Sequence, residues 1–230
     1  MTNPVELELD LGSDLGSVSA LLERPPDAWL LYVLAHGAGA GMRHAFLESI
    51  SAALAARGVA TMRYQFPYME AGSRRPDSPA VAEATVRAAV IQAGLAVPEL
   101  PLIAGGKSFG GRMTSGAAAS SLPGVRGLAF LGFPLHPPGR PGTRRADHLV
   151  RVELPMLFLQ GTRDQFAQTD LITGVCHRLG GRATLHLVEG ADHSFGVPKS
   201  SGRTAAEVLA ELADTLVEWV RSRVLVQDRR

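Results

Sequence analysis

Residues 102–113, reading Leu-Ile-Ala-Gly-Gly-Lys-Ser-Phe-Gly-Gly-Arg-Met, restrict the fold more than any other part of the chain. An apolar run passes into glycines, then a serine, then two further glycines, which is the pattern of a strand that turns sharply into a helix. Gly106, Lys107, Ser108, Phe109 and Gly110 spell GxSxG. On a strand–turn–helix, that pattern holds the serine on a strained turn with its hydroxyl exposed, and the small residues let strand and helix approach closely. Ser108 is therefore the candidate nucleophile. A competing reading fails: Gly106-Lys107-Ser108 ends like a phosphate-binding loop, but that motif needs a glycine where Pro101 stands and open loop where residues 102–104 read as strand. Taken alone, GxSxG fits an ordinary glycine-rich turn equally well, so the rest of the chain decides.

Strand and helix signals alternate from end to end. Residues 5–11 and 17–22 flank a turn at 12–16 and predict an opening antiparallel hairpin. Residues 29–35 are a continuous apolar run, the pattern of a strand buried on both faces, and lead into His36-Gly37-Ala38-Gly39-Ala40-Gly41. Phe46, Leu47, Ile50 and Leu54, closed by Gly58, describe an amphipathic helix. A strand at 59–66, an irregular stretch at 67–79 and a helix at 80–94 follow, then the strand 101–105 that feeds the Ser108 turn. Beyond it the pattern gives a strand at 125–133, a Pro- and Arg-rich loop at 134–148, and a strand at 155–160 ending in Gly161-Thr162-Arg163-Asp164. A helix at about 169–179 precedes a strand at 183–188, which ends in Glu189-Gly190-Ala191-Asp192-His193. Thr204-Ala205-Ala206-Glu207 is a capping box, opening a closing helix with the stripe Val208, Leu209, Leu212, Leu216, Trp219 and Val220. Only the last few residues read as frayed.

This alternation implies an α/β fold, a mostly parallel sheet with helices on both faces, in a single domain over residues 1–230. A chain of 230 residues with 46% hydrophobic side chains is large enough to bury such a core. The short segment between the strands at 125 and 155 leaves no room for a large cap. The cleft is then expected to be open and bordered by residues 67–75 and 134–148.

Composition excludes several classes. A net charge of +1 supplies no field suited to nucleic acid or an anionic membrane. Cys176 is the one cysteine, so no intrachain disulfide forms. The first 20 residues carry Glu6, Glu8, Asp10 and Asp14 without an apolar core, against a signal peptide, and no uncharged apolar run reaches the roughly 18 residues of a membrane span. The expectation is a soluble, cytoplasmic protein.

In open α/β sheets, ligands gather at the carboxyl ends of the strands. Four such ends carry suggestive residues: 36–41, Ser108, Asp164 and His193. Ser, Asp and His in this order along the chain match the arrangement of a serine hydrolase. Serine attacks well only when a base takes its proton, and His193 is the candidate base among seven histidines because it sits in a strand-end loop. Asp164 is the candidate orienting acid; Asp192 is the rival, but adjacent residues on one loop rarely face each other. For the oxyanion of an acyl-transfer transition state, the backbone N–H groups of Phe109 and Ala38 are the candidate donors, with Gly37 less favoured. His36 reads as a loop-shaping residue. Tyr68, Arg112 and Phe195 are candidate substrate contacts, and Lys107, Arg112 and Arg163 raise the question of a carboxylate on the substrate, though arginines facing solvent explain themselves more simply.

Through His36-Gly37, the turn 106–110, Gly161–Asp164 and Gly190–His193, the chain resembles the α/β-hydrolases over nearly its whole length. Phe66-Pro67-Tyr68-Met69 and Gly105-Gly106-Lys107-Ser108-Phe109-Gly110-Gly111-Arg112 are most similar to a small bacterial, dienelactone-hydrolase-like branch. That branch also takes in the hydrolase-like domains of testis-expressed proteins and of an NSL-complex subunit. Dienelactone hydrolases proper use a cysteine nucleophile where Ser108 stands, so their lactone substrate does not carry over. The resemblance implies a serine esterase, thioesterase or lactonase acting on a small soluble ester-type molecule through an acyl-enzyme, with no metal and no cofactor. Its rivals are a binding or scaffold protein on the same fold, as in relatives from regulatory complexes, and a serine peptidase acting on short peptides.

Overall fold

A computed structural model describes residues 3–13 and 15–226; the frayed end read from the sequence lies outside them. Among the described residues, eight strands make one sheet in the order β1-β2-β4-β3-β5-β6-β7-β8. They are β1 (Val5–Asp10), β2 (Ser17–Glu23), β3 (Leu30–Ala35), β4 (Val59–Tyr64), β5 (Leu102–Lys107), β6 (Val125–Leu131), β7 (Met156–Gly161) and β8 (Ala183–Val188). The opening hairpin β1–β2 is antiparallel and joins β4 antiparallel, while every later neighbour pair is parallel. The helices are α1 (Ala45–Ala55), α2 (Pro67–Glu70), α3 (Pro79–Ala96), α4 (Phe109–Ala118), α5 (Thr169–Leu179) and α6 (Ala205–Trp219).

The continuous apolar run of β3 divides by its pleat. Leu30, Tyr32 and Leu34 join Leu47, Ile50 and Leu54 of α1 and Leu212 and Leu216 of α6 on one face. Leu31, Val33 and Ala35 meet Val86 of α3, Met113 of α4 and Ile172 of α5 on the other. A period of two thus feeds two cores at once, which is why no polar residue interrupts the run. The capping box at Thr204 forms as read: its hydroxyl accepts from Glu207 N–H, and the Glu207 carboxylate accepts from Thr204 N–H. Of the α6 stripe, Val208, Leu212, Leu216, Trp219 and Val220 are buried.

Three local differences from the sequence reading have physical causes. The stretch after β4 contains the one-turn helix α2, because Pro67 supplies a preset φ at its first position. The loop read as 134–148 ends in a 3-10 helix, Arg144–Arg151, which buries Ala146 and Leu149. The strand before Ser108 runs on to Lys107, because Gly106 and Lys107 still pair with Phe130 and Leu131 of β6. No helix among the described residues is long and apolar enough to cross a membrane.

β5 and β6 lie so close that a Cβ built on Gly105 would stand 1.8 Å from the Ala129 carbonyl oxygen. Gly94, inside α3, has nothing within 4 Å of such a Cβ. Two alanine substitutions should therefore move stability in opposite directions in urea unfolding. Gly105→Ala is expected to cost about 3 kcal/mol or more, and Gly94→Ala to add about 0.5–1 kcal/mol.

Candidate active site

The turn between β5 and α4 is built by close backbone approach. A Cβ on Gly106 would stand 2.4 Å from the Ala35 carbonyl oxygen, and one on Gly110 would stand 2.5 Å from that of His36. The elbow therefore rests directly on the end of β3. Ser108 sits at its apex with φ 50° and ψ −113°, a conformation that L-residues avoid at a cost of about 1–3 kcal/mol. Ser108 N–H is held by the Leu131 carbonyl at 3.1 Å, so β6 secures the turn as well.

The structure brings Ser108, His193 and Asp164 from three strand ends into one hydrogen-bonded chain. His193 Nε2 lies 2.9 Å from Ser108 Oγ, and His193 Nδ1 lies 2.7 Å from Asp164 Oδ2. Asp164 is buried, and its carboxylate accepts two more bonds, from Gln160 Nε2 at 2.5 Å and Phe166 N–H at 2.7 Å. Gln160 Oε1 in turn accepts from Phe133 N–H at 2.9 Å. The ionised carboxylate only accepts, which leaves Nδ1–H as the proton that faces it and Nε2 as the acceptor toward Ser108. The Phe166 ring packs on the imidazole with centroids 4.3 Å apart. Asp192 is placed elsewhere: its Oδ1 accepts from Ser194 N–H and Gly196 N–H and closes the loop that carries His193.

The turn after β3 faces the elbow. A Cβ on Gly37 would stand 3.6 Å from Lys107 Cγ and 3.8 Å from Ser108 Cβ, so this turn lies against Ser108. Ala38 lines the same cleft as Ser108 and His193, and Phe109 N–H is the first amide of α4, where no intrahelical acceptor exists. His36 is fully buried beneath the turn. Its Nδ1 bonds the Gly37 carbonyl at 2.7 Å and its Nε2 accepts from Phe66 N–H at 3.2 Å, an arrangement that requires the neutral ring. Burial accordingly pulls His36 down to about 4, against the bond to Gly37, which raises it.

The cleft has a volume of about 280 Å³ and is lined by Gly37, Ala38, Ala40, His44, Phe46 and Leu47 opposite Lys107, Ser108, Phe166, His193 and Ser194. Its wall is the start of α1, whereas the sequence reading placed residues 67–75 and 134–148 there. Gly39 and Gly41, both at positive φ, swing the chain so that α1 begins over Ser108. The three residues read as substrate contacts do not line this cleft. Tyr68 is buried behind the turn, where its hydroxyl accepts from Gly39 N–H at 2.9 Å. Arg112 lies on α4 where it feels Arg145 and Glu83, and burial with the Arg145 charge lowers its pKa. Phe195 is buried and stacks on Phe46 at 5.6 Å. Arg163 is exposed and reaches the Gly190 carbonyl.

Gln160, Phe166 and His44 were not singled out as site residues in the sequence, and Phe46 and Leu47 read only as the apolar face of a helix. Gln160 carried a usable signal, since a lone amide in an apolar strand needs a buried partner. Cys176 is buried on α5 with its thiol pushed up to about 12 by burial, so it packs as a small apolar residue. Among the described residues, no group of three or more His, Cys, Asp or Glu side chains is arranged to hold a metal ion.

Fold and site together define an α/β sheet with a serine elbow at its carboxyl edge. The chain belongs to the α/β hydrolase domain family, whose model matches residues 28–221. Among solved structures it is similar to an α/β serine hydrolase without a lid from Xanthomonas campestris, at a TM-score of 0.74 and 20% identity over 97% of this chain and 96% of that one. A dienelactone hydrolase from Anabaena variabilis matches at a TM-score of 0.74 and 18% identity, covering 96% and 98%. The esterase domain of a Rhodothermus marinus protein matches at 0.69 and 17% identity, covering 96% and 98%.

The buried neutral His36 makes stability depend on pH. In the unfolded chain the imidazole takes up a proton near 6.5, but in the folded protein only near 4, so stability is lost as pH falls through that window. Between pH 7 and 4.5 the native protein should lose about 2 kcal/mol more than His36→Gln. Equal losses in urea titrations would contradict the role given to His36.

Proposed function

We propose that this chain is a serine-dependent hydrolase of small ester-type acyl substrates, working through an acyl-enzyme without metal or cofactor. The observation that carries this reading is the unbroken chain from Ser108 Oγ through His193 to the buried Asp164. As Ser108 Oγ attacks the substrate carbonyl carbon, its proton passes to His193 Nε2. Asp164, held by Gln160 and Phe166 N–H, keeps the ring in the required tautomer and stabilises the imidazolium. The carbonyl oxygen gains the negative charge and is received by the N–H groups of Ala38 and Phe109. On collapse, His193 returns the proton to the leaving alkoxide or thiolate. Water then attacks the acyl-enzyme, with His193 again as base, and releases the acid.

A cleft of about 280 Å³ lies just below the roughly 300–1,000 Å³ usual for ligand sites, which supports a short acyl group against Phe46, Leu47 and Ala40. Tyr68 enters this reading as a residue that shapes the turn of Ala38, not as a substrate contact. The similar lidless serine hydrolase and the esterase domain support the class of chemistry by analogy of fold.

With p-nitrophenyl esters, acetate and butyrate should be cleaved well ahead of octanoate and longer chains. Ser108→Ala should lose at least on the order of 10³-fold in kcat while keeping its melting temperature. No turnover across esters and thioesters would instead favour a binding protein on a hydrolase fold.

A further inference from the structure

Lys107, directly before the nucleophile, has no part in the chemistry above. As a residue it is only partly buried, yet its ammonium end is desolvated, which pulls it down to about 8 against the raising fields of Asp164 and Asp192. Its Nζ donates a hydrogen bond to the backbone carbonyl of His193. The same nitrogen lies 5.3 Å from the centroid of the Phe195 ring and 5.9 Å from that of Phe46, two rings stacked at 5.6 Å and 11°. On the remaining side stands the bare backbone of Gly132, where a Cβ would come within 2.9 Å of Nζ and 3.4 Å of His193 Nδ1.

The loop held by these contacts is under strain. Phe195 is one of two non-glycine residues at positive φ among those described, at 63°, and the other is Ser108. Its internal bonds, Phe195 N–H to the Asp192 carbonyl and Asp192 N–H to the Gly196 carbonyl, give the loop its shape. They do not set its distance from the elbow. Lys107 is covalently joined to Ser108 and bonded to the carbonyl of His193, so it links the nucleophile's backbone to the base's backbone by a path separate from the Ser108–His193 bond. A desolvated ammonium favours carbonyl oxygen and aromatic faces, and both partners here belong to or stack upon the His193 loop.

The geometry points to Lys107 as a positioning residue that clamps the His193 loop to the nucleophile elbow through the His193 carbonyl and the Phe46–Phe195 pair. The kinetic part of this inference rests on the hydrolase reading; the structural part does not. A loosened clamp leaves Ser108 and Asp164 in place but spreads the Ser108–His193 distance, and a misplacement on the scale of 1 Å costs about 10²-fold in rate.

The test is Lys107→Met, read in three ways: kcat and KM on a short p-nitrophenyl ester, the rate of fluorophosphonate labelling at Ser108, and amide hydrogen exchange along the chain. A clamp predicts labelling and kcat lowered about 10–100-fold with KM within about threefold, and faster exchange confined to residues 193–197. Labelling and exchange at the rate of the unsubstituted protein overturn it, as does exchange accelerated throughout the sheet. Lys107→Gln, with the same expectations, replaces the methionine variant if that one does not fold. A native protein that neither labels nor turns over ester sinks the hydrolase reading, whereas local exchange at 193–197 then decides the clamp alone.

Discussion

The elbow exists because two β-carbons are missing. Gly106 and Gly110 flank Ser108 and rest within contact of the Ala35 and His36 carbonyls, closer than any side chain permits. This approach puts the end of β5 against the end of β3, and so puts Ser108 beside the turn that carries Ala38. It also forces Ser108 into a φ that its neighbours must hold, through Leu131 of β6 and the first turn of α4. The remaining sheet order then has a geometric consequence: β7 and β8 deliver Asp164 and His193 to the same carboxyl edge, one and two strands beyond β6.

Around that apex, buried polar groups are used to set distances. His36 ties the turn after β3 to Phe66, Tyr68 ties it to Gly39, Gln160 joins Phe133 to Asp164, and Lys107 joins the elbow to the His193 loop. Each of these groups loses hydration on folding, and each recovers it through a partner that lies on a different segment. Burying apolar residues there would pack as well but would not specify position, since dispersion has no direction. The strained residues, Ser108 and Phe195, lie where these ties converge.

Much of this was legible in the residues. The alternation of periods gave the sheet and its two helical layers, and helix α5, strand β8 and the capping box of α6 match the spans read from the pattern. The types and order of Ser108, Asp164 and His193 singled them out before any distance was known. Less was legible about what surrounds them. Phe46 and Leu47 read as core of an amphipathic helix, and only the positive-φ glycines 39 and 41 turn that helix over the cleft. Arg112 and Phe195 are near the site in sequence and Tyr68 follows β4, but all three serve loop support or the α4 surface, because sequence position says nothing about which side of the elbow a residue faces. Lys107 was conspicuous without an assignable partner, since the His193 carbonyl that accepts its hydrogen bond lies 86 positions away and a backbone acceptor leaves no trace in the sequence.

The central claim is that His193 activates Ser108. Intact-protein mass spectrometry after exposure to a fluorophosphonate measures this directly, without knowledge of the natural substrate. The account predicts a single adduct, mapped to the peptide containing Ser108, and its near-complete loss in His193→Ala although the serine remains. An adduct at another residue, or equal labelling of Ser108 in His193→Ala, would contradict it.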